Sequence, residues 1–195
     1  MKGVIDFNRM SKGTNPIEDS YELLIEVPSD FPTSVPIVKE IGNKIPKKSD
    51  FHINVGDGTL CLGSPLRLLL HLSKNPSLVG FVEELLIDSY LYQVSNKLRG
   101  GEFILGELEH GVLGEISDYE NILGINGVNV VKSSIIALTY KKRIANKIAC
   151  PCGCGIRLGS CKFHYKLNSL RKVLTRKVYK KILSEFNERL NKSKK

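Results

Sequence analysis

Apolar and polar positions change period twice along this chain. Tyr21-Glu-Leu-Leu-Ile-Glu-Val27 is rich in strand formers and stops at Pro28, which predicts a strand. Residues 3–10 predict an earlier strand. Residues 31–39 carry Pro32 and Pro36 ahead of an apolar run, which predicts extended loop passing into an edge strand. Together these make a small antiparallel meander. From 46 to 65 the pattern is irregular and includes Gly56-Asp57-Gly58, so it predicts a long loop of the kind that carries function. Helical spacing then takes over across 77–98, where Leu78, Phe81, Val82, Leu85, Leu86, Ser89 and Tyr90 share a face. Ser77 serves as its N-cap and Gly100-Gly101 as its stop.

A glycine-punctuated stretch occupies 106–114, and short helices are predicted over 117–123 and 128–147. After a cysteine-rich segment at 150–164, one amphipathic helix is predicted over 167–190, with Leu170, Leu174, Val178, Ile182, Phe186 and Leu190 along its stripe. The fold class is α+β, with a core over 1–125 and a helical extension over 126–195.

Charge sharpens that division. Residues 132–195 hold 18 Lys/Arg against 2 Asp/Glu, whereas residues 1–131 hold 11 against 18. A mildly acidic body thus precedes a strongly basic region, which is either a solvated helix face or a surface for an acidic partner or nucleic acid. No apolar run approaches the ~20 residues that cross a bilayer. The first residues, MKGVIDFNRMSKG, lack the apolar stretch and cleavage site of a signal peptide. The expectation is a cytoplasmic protein without a membrane partner.

The five cysteines are also unevenly placed: Cys61 stands alone, while Cys150, Cys152, Cys154 and Cys161 cluster. A lone thiol beside a cluster reads as one reactive residue and one metal site. In Phe51-His-Ile-Asn-Val-Gly-Asp-Gly-Thr-Leu-Cys-Leu62, His52-Ile53-Asn54 precedes a Gly-containing turn and then Cys61-Leu62. This order resembles the active-site signature of the ubiquitin-conjugating (E2) family, a His-Pro-Asn tripeptide followed by the catalytic Cys-Leu. Phe31-Pro32 and Pro36 sit where that family has its Tyr-Pro-x-x-x-Pro run. Ile53 replaces the family proline, and the chain has no Trp to supply the family's Trp-Ser-Pro motif.

The resemblance implies an E2-like antiparallel meander packed on helices, with Cys61 as the thioester-forming nucleophile. It assigns Asn54 to oxyanion stabilisation and His52 chiefly to holding the loop. A side-chain amide suits the first role because the tetrahedral intermediate carries a negative oxygen. Gly106-Glu-Leu-Glu-His110-Gly111, with Gly114, Glu115 and Tyr119, is similar to a motif of prokaryotic E2-like proteins found in cyclic-oligonucleotide (CBASS) antiphage systems. There the family conjugates the C-terminus of a cGAS-like nucleotidyltransferase (CD-NTase). His110, on this glycine-flanked loop, is either a base and proton shuttle for Cys61 or a loop-fixing histidine.

Cys150-Pro-Cys152-Gly-Cys154-Gly-Ile-Arg-Leu-Gly-Ser-Cys161-Lys-Phe-His164 carries a second chemistry. Two thiols one residue apart, then Cys and His a short loop later, suit a tetrahedral zinc ion. The spacing resembles the SEC-C zinc knuckle, with Cys154 at the family's Ser position. Cys150, Cys152, Cys161 and His164 are the expected ligands of a structural Zn²⁺, with Cys154 a spare, and a redox-active thiol cluster is the rival reading. The functional expectation is E2-type conjugation of a partner's C-terminus to an amine, supplied by an E1-like activator. The alternatives are a non-catalytic E2-variant binding module, or a nucleic-acid binder using the basic extension.

Overall fold

The computed structural model describes residues 1–10, 16–54, 56–103 and 111–193. By contact the chain divides into two compact units, Met1–Gly63 with Lys74–Leu108, and Ser64–Ser73 with Glu109–Lys195. Contact thus groups two segments that precede the expected 125/126 boundary with the C-terminal residues.

The first unit is built on an antiparallel sheet of β1 (Lys2–Arg9), β2 (Ile17–Glu26) and β3 (Ile37–Glu40), in that order. Ile5 pairs with Tyr21 and Val38 with Ile25, so the meander anticipated from patterning is present. Alternation decides which face is covered. On β2, Tyr21, Leu23 and Ile25 are buried, whereas β1, an edge strand, buries only Phe7. Buried Glu40 on β3 accepts the Lys44 N–H at 3.2 Å and so closes the turn that follows the strand.

One continuous helical rod follows in this unit: α2 (Leu78–Gly80), a π-helical segment (Phe81–Leu91) and α3 (Tyr92–Leu98). Ser77 Oγ accepts the Gly80 N–H at 2.9 Å, which is the expected cap. The π winding shifts the expected face. Bonding to the fifth residue widens the turn, so Phe81, Leu85, Leu86 and Tyr90 are buried while Ser89 turns out to solvent. The Ser89 hydroxyl bonds the Glu84 carbonyl at 2.7 Å. Rod and sheet are tied by a buried 2.7 Å hydrogen bond between the Tyr21 and Ser95 hydroxyls.

The second unit is helical: α1 (Pro65–Leu72), α4 (Gly111–Leu123), α5 (Val128–Thr139), α6 (Lys142–Ala145), α7 (Phe163–Val173) and α8 (Arg176–Lys192). Helix α1 was absent from the sequence reading, although its signal was present. Ser64 Oγ accepts the Arg67 N–H at 3.2 Å, and Pro65 stands in the first turn, where its missing N–H costs nothing. Helix α4 begins at Gly111, six residues before the expected start. The helix expected over 128–147 breaks at Tyr140, whose backbone is extended. The single helix expected over 167–190 is two: Leu174 is extended, and Thr175 Oγ1 accepts the Val178 N–H to cap α8. Leu170, Leu174, Val178, Ile182 and Phe186 are nonetheless all buried. Among the described residues, no single helix is long and apolar enough to cross a membrane.

Two buried carboxylates on α4 hold this unit together. Arg189 of α8 grips Glu115 through Nε and Nη2 at 2.6 and 2.8 Å, and Arg67 of α1 grips Asp118, its Nε at 2.7 Å. Glu115 and Asp118 are both buried, so removing one arginine leaves a charge without a partner in low dielectric. Arg189→Ala is therefore expected to cost about 3 kcal/mol in urea unfolding. The paired replacement Arg189→Met with Glu115→Gln should recover a substantial part of that loss.

Candidate functional site

Cys61 sits at the end of a short hairpin in the first unit. Ile53 bridges Leu60, the Asn54 N–H bonds the Thr59 carbonyl at 2.9 Å, and the Cys61 N–H bonds the His52 carbonyl at 2.7 Å. The hairpin is hung on the sheet by the Leu60 N–H, which bonds the Val38 carbonyl at 2.8 Å. Gly58 makes the turn at φ +71°, a conformation that a side chain strains. Asp57 then accepts both the Thr59 N–H at 3.0 Å and the Thr59 hydroxyl at 2.7 Å. These bonds, the hydroxyl first, hold the Asp57 carboxyl below its usual range. Their contribution is thus present above the ordinary aspartate pKa and fades as pH falls through the lowered value.

The backbone of Cys61 is ordered by this ladder while the residue itself is exposed. Asn54 is also exposed, and its Nδ2 donates to Thr59 Oγ1 at 2.8 Å. One amide N–H is thereby committed to the turn, which fixes the amide plane; the second has no partner among the described residues. His52 is buried in a left-handed conformation at φ 52°, its ring edge-on to Phe103 at 4.9 Å. His110 lies outside the described residues. Sequence reasoning missed Tyr90, whose buried hydroxyl donates to the Phe51 carbonyl at 2.9 Å. Burial, then the nearby Cys61 charge, pushes the Tyr90 phenol up, so it remains protonated beside the thiol.

The second site is the cysteine knuckle of the second unit. Its hairpin forms when the Cys150 N–H bonds the Ile156 carbonyl and the Leu158 N–H bonds the Ile148 carbonyl, each at 2.9 Å. Gly153 and Gly155 take φ +79° and +78°, turning the chain so that its thiols converge. The sulfurs of Cys150, Cys152, Cys154 and Cys161 all lie within 4.8 Å of one another, with Cys150–Cys152 at 3.2 Å and Cys152–Cys161 at 3.6 Å. Four sulfurs bound tetrahedrally at about 2.3 Å would stand about 3.8 Å apart. The cluster can therefore hold a metal ion with little movement.

The thiols are perturbed in both directions, Cys150 and Cys152 upward and Cys154 downward. Burial pushes the Cys150 thiol up, which a cation would reverse, while the Ile156 backbone beside exposed Cys154 brings that thiol down to about 7. The Phe163 N–H points at Cys161 Sγ from 3.4 Å. His164, expected as the fourth ligand, is not among the residues whose donor atoms cluster. Its Nδ1 meets the Cys161 carbonyl at 2.7 Å, and its ring lies 3.9 Å from that of Tyr165. Standing two residues beyond the usual ligand place puts His164 in the first turn of α7, and Cys154, the expected spare, is the residue whose sulfur lies with the other three.

Co²⁺ titration of the reduced protein separates these assignments. Thiolate-to-metal charge-transfer absorption is expected to saturate at one ion per chain, to persist in His164→Ala, and to weaken in Cys154→Ser. Comparison with protein-family models, with curated proteins and with solved structures returns no match to this chain.

Proposed function

We propose that this chain is an E2-type cysteine transferase that joins the C-terminus of a partner protein to an amine. The observation that carries the reading is the hairpin itself: an exposed thiol on backbone bonded to His52, with Asn54 on the facing strand. Thioester chemistry needs a thiol that can reach a carbonyl and later depart, and holding that thiol in one orientation lowers the entropic cost of attack. The partner's carboxyl arrives activated, as an adenylate or thioester made by an E1-like enzyme. Cys61 Sγ loses its proton and bonds the carbonyl carbon, expelling AMP or the donor thiol. An acceptor amine then bonds the same carbon, the carbon–sulfur bond breaks, the thiolate is regenerated, and the amine proton leaves to solvent. The second amide N–H of Asn54 is the donor for the transient oxyanion. By the motif resemblance, the conjugated partner is a cGAS-like nucleotidyltransferase in antiphage defence.

The knuckle, on this reading, takes a structural Zn²⁺. Cys150, Cys152, Cys154 and Cys161 supply all four positions of a tetrahedral ion, leaving none for water or substrate. Its contribution is to fold the segment around it.

Incubating the protein with ATP, an activating enzyme and proteins encoded beside it tests the transferase reading on non-reducing gels. A thiol-cleavable adduct is expected with the natural chain and absent from Cys61→Ala, and Cys61→Ser should give a thiol-resistant ester. Asn54→Ala should load normally but transfer about 100-fold more slowly. An adduct that survives Cys61→Ala overturns the reading.

A further inference from the structure

Between Asn121 and Ser184 the chain contains no acidic residue, yet it holds 14 lysines and arginines. Arg171, one of them, is spent internally: its guanidinium donates to the Ala137 carbonyl at 2.7 Å and to Asn168 at 3.2 Å. The others that matter face solvent. Lys162, just before α7, and Lys166 and Lys172 on it are exposed, and on α8 Arg176, Lys177 and Lys180 are exposed. None of these six forms an ion pair among the described residues.

A field of one sign attracts any polyanion, so charge alone does not choose the partner. Tyr165 does. It is 68% exposed and lies three residues after Lys162 and seven before Lys172, so these share one side of the helix, with Lys166 on the adjoining side. The His164 ring, 3.9 Å away and tilted by 37°, backs Tyr165 on one side, so the phenol ring is held as a platform. An exposed, supported aromatic ring between cations suits a nucleobase with its phosphates on either side. A membrane surface would need aliphatic side chains on this face to enter the lipid. Across α7 and α8, Val173 is the only aliphatic large side chain that is exposed among the described residues.

We propose that the solvent faces of α7 and α8 bind single-stranded nucleic acid without sequence preference, Tyr165 stacking a base and the flanking cations meeting phosphates. The proposal does not depend on Cys61 or on the transferase reading.

Fluorescence anisotropy of the full-length, zinc-loaded protein with labelled 30-nucleotide oligo(U) and oligo(dT) tests it. Binding in the range of about 1–100 µM at near-physiological salt, weakening with added salt, is expected. Lys162→Glu with Lys166→Glu should reduce the magnitude of the log–log salt slope by about 1.4, two phosphate contacts at about 0.7 each. Tyr165→Ala should weaken binding about 10-fold while leaving the slope unchanged. Circular dichroism melts confirm that these surface variants fold. The proposal is overturned by absent binding to both oligomers, by variants that bind like the natural chain, by a Tyr165→Ala protein of full affinity, or by tighter binding to phosphatidylserine vesicles than to either oligomer.

Discussion

Backbone polar groups that leave water must find partners, and at residues 52–61 that requirement produces the hairpin. Three bonds, from Asn54 to Thr59, from Cys61 to His52 and from Leu60 to Val38, convert an irregular stretch into an extension of the sheet. Everything proposed for Cys61 depends on this pairing. Without it the thiol would be one more cysteine on a loose loop, and the orientational advantage of a held nucleophile would be lost. The same pairing sets Asn54 on the strand facing Cys61, and buried His52 with Phe103 fixes where the hairpin starts.

The second unit satisfies a different constraint. Its helices bury apolar stripes in the ordinary way, but the knuckle from Gly153 to Arg157 is exposed throughout and has little apolar surface to contribute. A segment of this kind does not order itself by burial. Converging thiols offer another route, since metal–ligand bonds made only in the folded state add directly to folding free energy. Cys150 and Leu158 enter the core beside the sulfurs, so packing pins the knuckle on one side, and the other side carries the thiols that could hold a metal ion.

Charge in this unit is sorted by depth. Glu115 and Asp118 are buried against Arg189 and Arg67, while the lysines of α7 and α8 remain outside. Two of the negative groups are thus withdrawn from solvent, while Glu188 stays exposed on α8, beyond the run of cations at 176–181. Ion pairs that serve packing therefore also shape the surface field.

The alternation of β2, the cap at Ser77 and the buried stripe from Leu170 to Phe186 were legible in the chain itself, because each depends on neighbours within a few residues. So was the candidate chemistry: Cys61 with its flanking motif, and the crowding of Cys150, Cys152, Cys154 and Cys161. What was not legible depends on contacts distant in sequence or on which of two local options wins. Ser89 left the helical face because π winding changed the period, and Thr175 capped a new helix where the apolar pattern ran on without interruption. Arg189 meets Glu115 across 74 residues, a pairing that no local pattern encodes. Residue spacing alone could not choose between Cys154 and His164, since both stand within a short loop of the other thiols. In the tertiary structure the Cys154 sulfur lies with the other three, on a turn that Gly153 and Gly155 make at positive φ, while the His164 imidazole meets a backbone carbonyl from the first turn of α7.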